Sequence, residues 1–341
     1  MDFSFTEDQR LLQRGLRDVL AGECGADVVR LAWESGAVPG LWQVLAEAGL
    51  IGASVEEAYG GLGFSSIDWV LLVEEVGRAA VPEPVLETVA VAAPMLQQLG
   101  SEALKERWLP RVAAGEAKLS AGVAGGLIPY GAEVDAVLLL EPRRVRWLER
   151  GEFTAVPQAS VDGARRLARV ECEDDAGCTL ASGGGAVQVV DSAHCAGALA
   201  ASAELIGLAS QLLTASVDYV KQREQFGRPI GSFQAIKHPL SNALVALEFA
   251  RPLVYRAAWS LSSEDTDPVL DEVAVSSAKA MTSDAAQAVA RTALQCHGAM
   301  GYSFECDLHL WLKRVWARSV DWGDARHHRA RVADRVIGPC H

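Results

Sequence analysis

Apolar positions recur at helical spacing through the first third of the chain. Thr6 followed by Gln9 has the form of a capping box and predicts a helix to about residue 22. A second helical pattern carries Trp42, Leu45, Ala46 and Leu50, and Gly60, Gly61 and Gly63 break it. Val70, Val73 and Val76 then share one side of a helix, with Glu74 and Glu75 on another. Pro82 and Pro84 end it, because a proline disfavours helical geometry in the residue before it. Helical spacing resumes from Val85 to Leu99, and SEALKERWLPRVAAGE at 101–116 closes the region as a short helix.

The pattern changes between 119 and 190. Short runs of β character appear: AVLLLE at 136–141, VRWLE at 145–149, RLARVECE at 166–173 and AVQVVD at 186–191. Turn residues separate them, including Asp162-Gly163 and Gly183-Gly184-Gly185. This predicts a small antiparallel β domain. Helices return at about Ala193. One spans Ala196 to Arg223, and Gly227, Pro229 and Gly231 form a connector. Two long amphipathic helices follow at Phe233–Ser262 and Leu270–His297; GAMGY breaks the chain and two shorter helices finish it. The expected fold is mostly α with a small β domain: a helical domain at 1–118, a β domain at 119–190 and a helical bundle of four antiparallel helices at 191–341.

Composition narrows the function. A chain of 341 residues that is half apolar and rich in Ala, Leu and Val suits packed helices in more than one unit. A formal charge of −13 argues against nucleic acid, whose phosphates demand basic patches. Seven cysteines, an odd number without zinc-like spacing, read as reduced thiols in a cytoplasmic protein. No basic segment followed by an apolar one opens the chain, and no uninterrupted apolar run reaches the ~20 residues of a membrane span. No metal-ligand grouping and no Ser-His-Asp arrangement is readable. His327 and His328, in an arginine-rich helix, are expected to face solvent or a partner; His297 lies beside a glycine turn, either near a ligand or packed at a helix end.

Three segments carry a resemblance. They are LAEAGLIGASVEEAYGGLGFSSIDWVLLVEEVGRAAVPEP at 45–84, KQREQFGRPIGSFQAIKH at 221–238, and QCHGAMGYSFECDLHLWLKRVWARSVDWGDARHHRARVADRVIG at 295–338. Together they resemble the acyl-CoA dehydrogenases, flavoenzymes that desaturate acyl-CoA thioesters. The resemblance implies FAD as cofactor. It assigns FAD contacts to Arg223, Gln225, Phe226 and Gln234 on one subunit, and to Gln295, Gly298, Ala299 and Gly301 on the facing subunit of a dimer. A planar guanidinium suits a pyrophosphate oxygen pair, and glycines let backbone N–H groups approach phosphate. Ala299 stands where the family has glycine.

The chain departs from the family where chemistry is done. The Thr-Glu-Pro-x-x-Gly-Ser-Asp and Trp-Ile-Thr-Asn runs that hold the flavin ring are missing; SAGVAGGLIPYGAEVDA at 120–136 stands in place of the first. The glutamate that removes the substrate's α-proton is missing, and Asp321, Trp322, Gly323 and Asp324 occupy its place. The alternative position used by a minority of the family falls at about Gly197 and Ala198, and Glu204 lies too far on to serve, so it is expected to be an exposed or interface carboxylate. Asp324 is expected to cap the helix at 325–337. The expectation is therefore a subunit with no catalytic residue of its own. It would pair with a catalytic acyl-CoA dehydrogenase subunit in an α2β2 complex like those acting on steroid side chains. That partner would bind most of the acyl-CoA, and an electron-transfer flavoprotein or similar acceptor would take the electrons. Two rivals stand beside it: a self-sufficient dehydrogenase using Asp321 or Asp324, and a non-enzymatic scaffold or acyl-CoA-binding protein.

Overall fold

The structure, a computed structural model, describes residues 4–36, 38–263 and 267–338. Six helices come first: α1 (Glu7–Glu23), α2 (Ala26–Ser35), α3 (Leu41–Glu47), α4 (Ser66–Arg78), α5 (Ala93–Leu99) and α6 (Glu102–Ala113). The capping box at Thr6 is made in both directions: Gln9 N–H donates to Thr6 Oγ1 at 3.2 Å and Thr6 N–H to Gln9 Oε1 at 2.8 Å. The stretch expected as one helix from Val85 to Leu99 instead begins with a π-helical segment, Glu87–Ala92, which widens the turn around Glu87. Glu74 and Glu75 do not sit on a polar outer face. Both are buried, because other helices cover α4 on several sides. Glu75 pairs with Arg17 at 2.7 Å and Arg78 at 3.1 Å; Glu74 pairs with Arg251 and accepts from Tyr255 at 2.8 Å.

Seven short strands follow: β1 (Leu119–Val123), β2 (Leu127–Pro129), β3 (Ala136–Glu141), β4 (Arg144–Glu149), β5 (Thr154–Pro157), β6 (Leu167–Glu171) and β7 (Cys178–Ser182). They form two sheets, in the orders β1-β3-β4-β7 and β2-β6-β5. The first sheet is mixed rather than antiparallel, since β1 and β3 run parallel with Leu119 opposite Ala136. The loop between them, which contains β2, reverses the chain twice. The expected strand at 186–191 is helical. It lies within α7 (Gly183–Gln222), where Ala186, Ala193 and Gly197 are buried at helical intervals. Continuity with the tightly packed 197–213 stretch overrides the local β preference of Val187, Val189 and Val190.

A tight hairpin, β8 (Glu224–Gln225) and β9 (Arg228–Pro229), leads to α8 (Gln234–Ser262) and α9 (Pro268–His297); α10 (Leu308–Arg318) and α11 (Ala325–Val336) close the fold. Helix α7 packs on α4, α8, α9 and α10. It is long and apolar enough to cross a membrane, but 83% of that apolar window is buried inside the protein. Its contact with α4 is very close: a Cβ on Gly77 would lie 2.1 Å from the Glu204 carbonyl, and one on Gly207 would lie 1.9 Å from that of Glu74. Six cysteines carry free thiols, and Cys340 lies outside the described residues.

A buried charge constellation joins the parts. Arg314 pairs with Asp162 and reaches Glu204 at 3.2 Å. Arg318 reaches Glu204 at 2.6 Å, off the hydrogen-bond axis, and Glu87 at 2.8 Å. Burial would lower the arginine pKa values, but the facing carboxylates outweigh it and raise both. Glu204 is fully buried, not the exposed or interface carboxylate expected, because α4, α7 and α10 converge on it. Removing one member of a buried pair leaves a desolvated charge and costs about 3–5 kcal/mol. Arg318→Met should therefore lower stability by roughly that much in urea unfolding, and a change below about 1 kcal/mol would show that the constellation is not a clamp.

Candidate functional site

The turn between α10 and α11 stands where a catalytic carboxylate is expected. Asp321 Oδ2 lies 2.6 Å from an Arg165 guanidinium nitrogen and 3.1 Å from one of Arg318, so the carboxylate is committed to two cations. Asp324 caps α11, accepting from His327 N–H at 2.7 Å, and this hydrogen bond holds its carboxyl below the usual range. Its role as a cap is as expected. Lys279 is fully buried beneath the turn and donates to Ser319 O at 3.0 Å, Gly323 O at 2.9 Å and Ser283 Oγ at 3.1 Å. Burial pushes its ammonium down to about 8, against the opposing pull of Asp321 and Asp324.

His328 does not face solvent. It is 1% exposed, with Nε2 2.9 Å from Trp322 O and Nδ1 3.1 Å from Ser276 Oγ. The carbonyl requires Nε2–H as donor, which leaves Nδ1 to accept from the serine hydroxyl. α11 turns this face inward against α9, and Arg329 and Arg331 instead pair with α9 acids.

A cavity of about 230 Å³ opens beside the turn, between β1–β2 and the start of α7. Gly122, Leu127, Arg165, His194, Asp321 and Trp322 line it, and no hydroxyl side chain does. It falls below the ~300–1,000 Å³ usual for a ligand site. Burial, helped by Arg331, pushes the His194 imidazole down to about 4, so it is neutral at pH 7. The cavity thus presents a neutral imidazole and a carboxylate already held by two guanidinium groups, which is poor equipment for abstracting a proton.

The other predicted residues gather at the far end of the bundle. Arg223, Gln225 and Phe226 belong to the β8–β9 hairpin and Gln234 opens α8; all four are exposed, Phe226 at 92%. Among the described residues Arg223 has no ion-pair partner. Gln295, Gly298 and Ala299 are exposed at the end of α9, and Gly301 is buried. The two groups sit at one end because the Tyr219 ring of α7 stacks on His297 of α9, centroids 4.2 Å apart. His297 is thereby packed at a helix end, with Nδ1 2.8 Å from Ala293 O.

The acyl-CoA dehydrogenase N-terminal domain model matches residues 6–116 and the C-terminal domain model matches 187–337. The acyl-CoA dehydrogenase IpdE2 of Mycolicibacterium smegmatis is 31% identical over 97% of this chain and 100% of its own. This chain is a member of the acyl-CoA dehydrogenase family. Among solved structures, the ChsE4–ChsE5 complex from Mycobacterium tuberculosis superposes with a TM-score of 0.90 at 22% identity, covering all of both chains. The Tcur3481–Tcur3483 steroid ACAD G363A variant gives 0.85 at 24% identity, over 97% of this chain and 98% of the other. FAD is the cofactor of this family, and neighbours of the same fold carry FAD or FADH2.

The dehydrogenase fits the two ends of that cofactor differently. The exposed Arg223, Gln225 and Gln234, with the backbone of the 298–301 turn, offer the donors an adenosine pyrophosphate requires. The 230 Å³ cavity, with Trp322 in its wall, does not fit a flavin ring together with a thioester. Reading the sequence residue by residue missed Arg165, Lys279 and the pairing of Trp322 with Gly197, where a Cβ would fall 2.3 Å from the indole. A lysine at 279 within a helical face otherwise made of small residues was an available signal.

His328 supplies a pH test. Burial first, then Lys279 and neighbouring cations, lowers its folded pKa to about 3. The unfolded chain therefore takes the proton first as pH falls below about 6.5, and stability drops with it. His328→Asn should flatten the pH dependence of unfolding between about pH 6.5 and 5 by up to about 1.4 kcal/mol per pH unit. An unchanged slope would place the native imidazole in contact with water.

Proposed function

We propose that this chain is the non-base-bearing subunit of a heteromeric, FAD-dependent acyl-CoA dehydrogenase and completes the FAD site of a catalytic partner. The observation that carries this is Asp321. The carboxylate nearest the expected base position is tied to Arg165 and Arg318, while the cofactor-facing turns at the other end of the bundle stay exposed. Asp321 and Asp324 are structural in this reading. Arg223, Gln225, Phe226, Gln234, Gln295, Gly298, Ala299 and Gly301 are the cofactor-contact residues.

When bound, FAD supplies the acceptor for the hydride that leaves the β-carbon of the acyl thioester. The partner's glutamate takes the α-proton, the product is a trans-2-enoyl-CoA, and an electron-transfer flavoprotein or similar carrier reoxidises the complex. This chain's share is to hold the adenosine and pyrophosphate end and to bury its apolar surface against the partner. Support for a two-subunit assembly comes from the ChsE4–ChsE5 complex and the Tcur3481–Tcur3483 steroid ACAD, each of which pairs two proteins. The steroid ACAD among them supports a steroid side-chain thioester as substrate class. Exposed Leu244, Val245 and Phe249 on α8, with Phe226 and Tyr302 at the bundle end, support a covered face.

The α2β2 complex should carry two FAD, measured as released flavin against protein; four would mean that this subunit holds a flavin ring of its own. Arg223→Ala in the complex should weaken FAD about ten- to a hundredfold, the loss of one charge-assisted hydrogen bond, with turnover restored by added FAD. Asp321→Asn should leave turnover within a few-fold, whereas loss of a general base costs on the order of a hundredfold or more. Abolished turnover with FAD bound and the complex intact would establish the self-sufficient alternative. A complex without flavin would establish the scaffold.

A further inference from the structure

We propose that the Trp322 indole is a built-in occupant that narrows, from inside this subunit, the compartment between β1–β2 and the α10–α11 turn, and that Gly197 is its seat. The inference deepens the non-catalytic reading above and rests on it. Loss of a base alone would leave a ligand compartment at its full size; here the indole takes up part of it and about 230 Å³ remains beside the ring.

Three observations place the ring deliberately. Trp322 has φ 54°, a left-handed conformation that a bulky side chain adopts only when its surroundings over-determine it. Those surroundings are present: His328 holds the Trp322 carbonyl at 2.9 Å, Lys279 holds the Gly323 carbonyl at 2.9 Å, and Arg165 and Arg318 hold Asp321. The backbone on both sides of the tryptophan is therefore fixed, and with it the direction of the ring. On the receiving side, α7 offers no side chain at residue 197, where the indole sits. A Cβ on Gly197 would lie 2.3 Å from Cε2 and 2.4 Å from Cδ2 of the indole. One turn earlier on α7, the His194 ring meets the indole edge-on, centroids 5.4 Å apart.

The ligand class that would fit the vacated space is a planar, largely apolar ring, for which free indole is the probe. The decisive experiment is a double-mutant cycle in the purified full chain, in complex with its partner where the chain requires one. Alanine in place of a helical glycine ordinarily stabilises. Gly197→Ala should instead lower the melting temperature, because its methyl group meets the indole. In the Trp322→Gly background the same substitution should raise it. Trp322→Gly alone should also bind one free indole per copy of this chain by calorimetry, at least about tenfold tighter than the parent, and bound indole should recover part of the lost melting temperature. Both the sign reversal and the indole site are required; failure of either overturns the proposal. If Trp322→Gly does not accumulate, Trp322→Leu carries the same cycle, and the absence of a sign reversal there overturns the proposal too. The outcome separates cleanly from the subunit reading. Two FAD per complex without a sign reversal would leave the subunit role and remove the plug, while four FAD would remove the subunit role and the plug with it.

Discussion

Three buried guanidinium groups facing four buried or nearly buried carboxylates are the constraint on which this structure depends. Arg165, Arg314 and Arg318 meet Asp162, Glu87, Glu204 and Asp321 at the point where the first helices, the β strands, α7 and α10 converge. Such a cluster is weak evidence for net stability, since desolvation offsets most of the attraction. Its strength is in selection: any arrangement of these elements that separates one partner strands a charge in the interior. The close contact of α4 with α7 through Gly77 and Gly207 is part of the same design, because it brings the Glu204 segment deep enough to be reached from α10.

The constellation also decides what the α10–α11 turn can do. Asp321 is the carboxylate nearest the expected catalytic position, and it is the point where the cluster emerges toward the cavity. A base must reach a substrate proton, whereas this carboxylate is already engaged by two guanidinium groups. Below the turn, Lys279 turns its donors to two carbonyls and a hydroxyl rather than to a carboxylate, so its charge serves geometry. Asp321, Asp324, Lys279 and His328 are thus all committed to shaping the turn.

Much of the fold was legible because its signals are local. The Thr6 cap, the Pro82 and Pro84 stop, the two long helices before and after the 263–267 connection and the Asp324 cap all follow from spacing and capping within a few residues. The errors share a cause, which is that long-range packing overrode local preference. Val187 to Val190 read as strand, yet they continue a helix whose core lies ten residues on. Glu204 and His328 read as outward-facing because charged or polar residues usually are, and nothing local announced that Glu74 and Glu75 are buried. Each is buried by a partner 52 or more residues away: Ser276 for His328, Arg17 for Glu75, Arg314 for Glu204 and Arg251 for Glu74. The surface turns at Arg223 and Gln295 were legible as motifs. The Trp322–Gly197 contact was not, since 125 residues separate its halves and a glycine in a helix announces nothing about what covers it.

The contrast between the two ends of the bundle is itself an argument about function. Drift after a lost activity would be expected to leave a catalytic pocket hollow, with unpaired polar groups and glycines at random. Around Trp322 a cavity of about 230 Å³ remains, and His194 Nδ1 and Arg165 Nε are buried without a hydrogen-bond partner among the described residues, but the other polar groups of the turn are engaged. The carboxylate has two cations, two carbonyls of the turn have buried donors, and the ring has a seat shaped by a missing side chain. These contacts hold the turn in place and leave it little proton-abstracting equipment. Exposed at the surface are the hairpin at Arg223, Gln295 and Gly298 at the α9 end, and Leu244, Val245 and Phe249 of α8. A small open cavity with a committed carboxylate, and a surface with exposed donors and apolar area, both favour the proposed subunit role over the self-sufficient one.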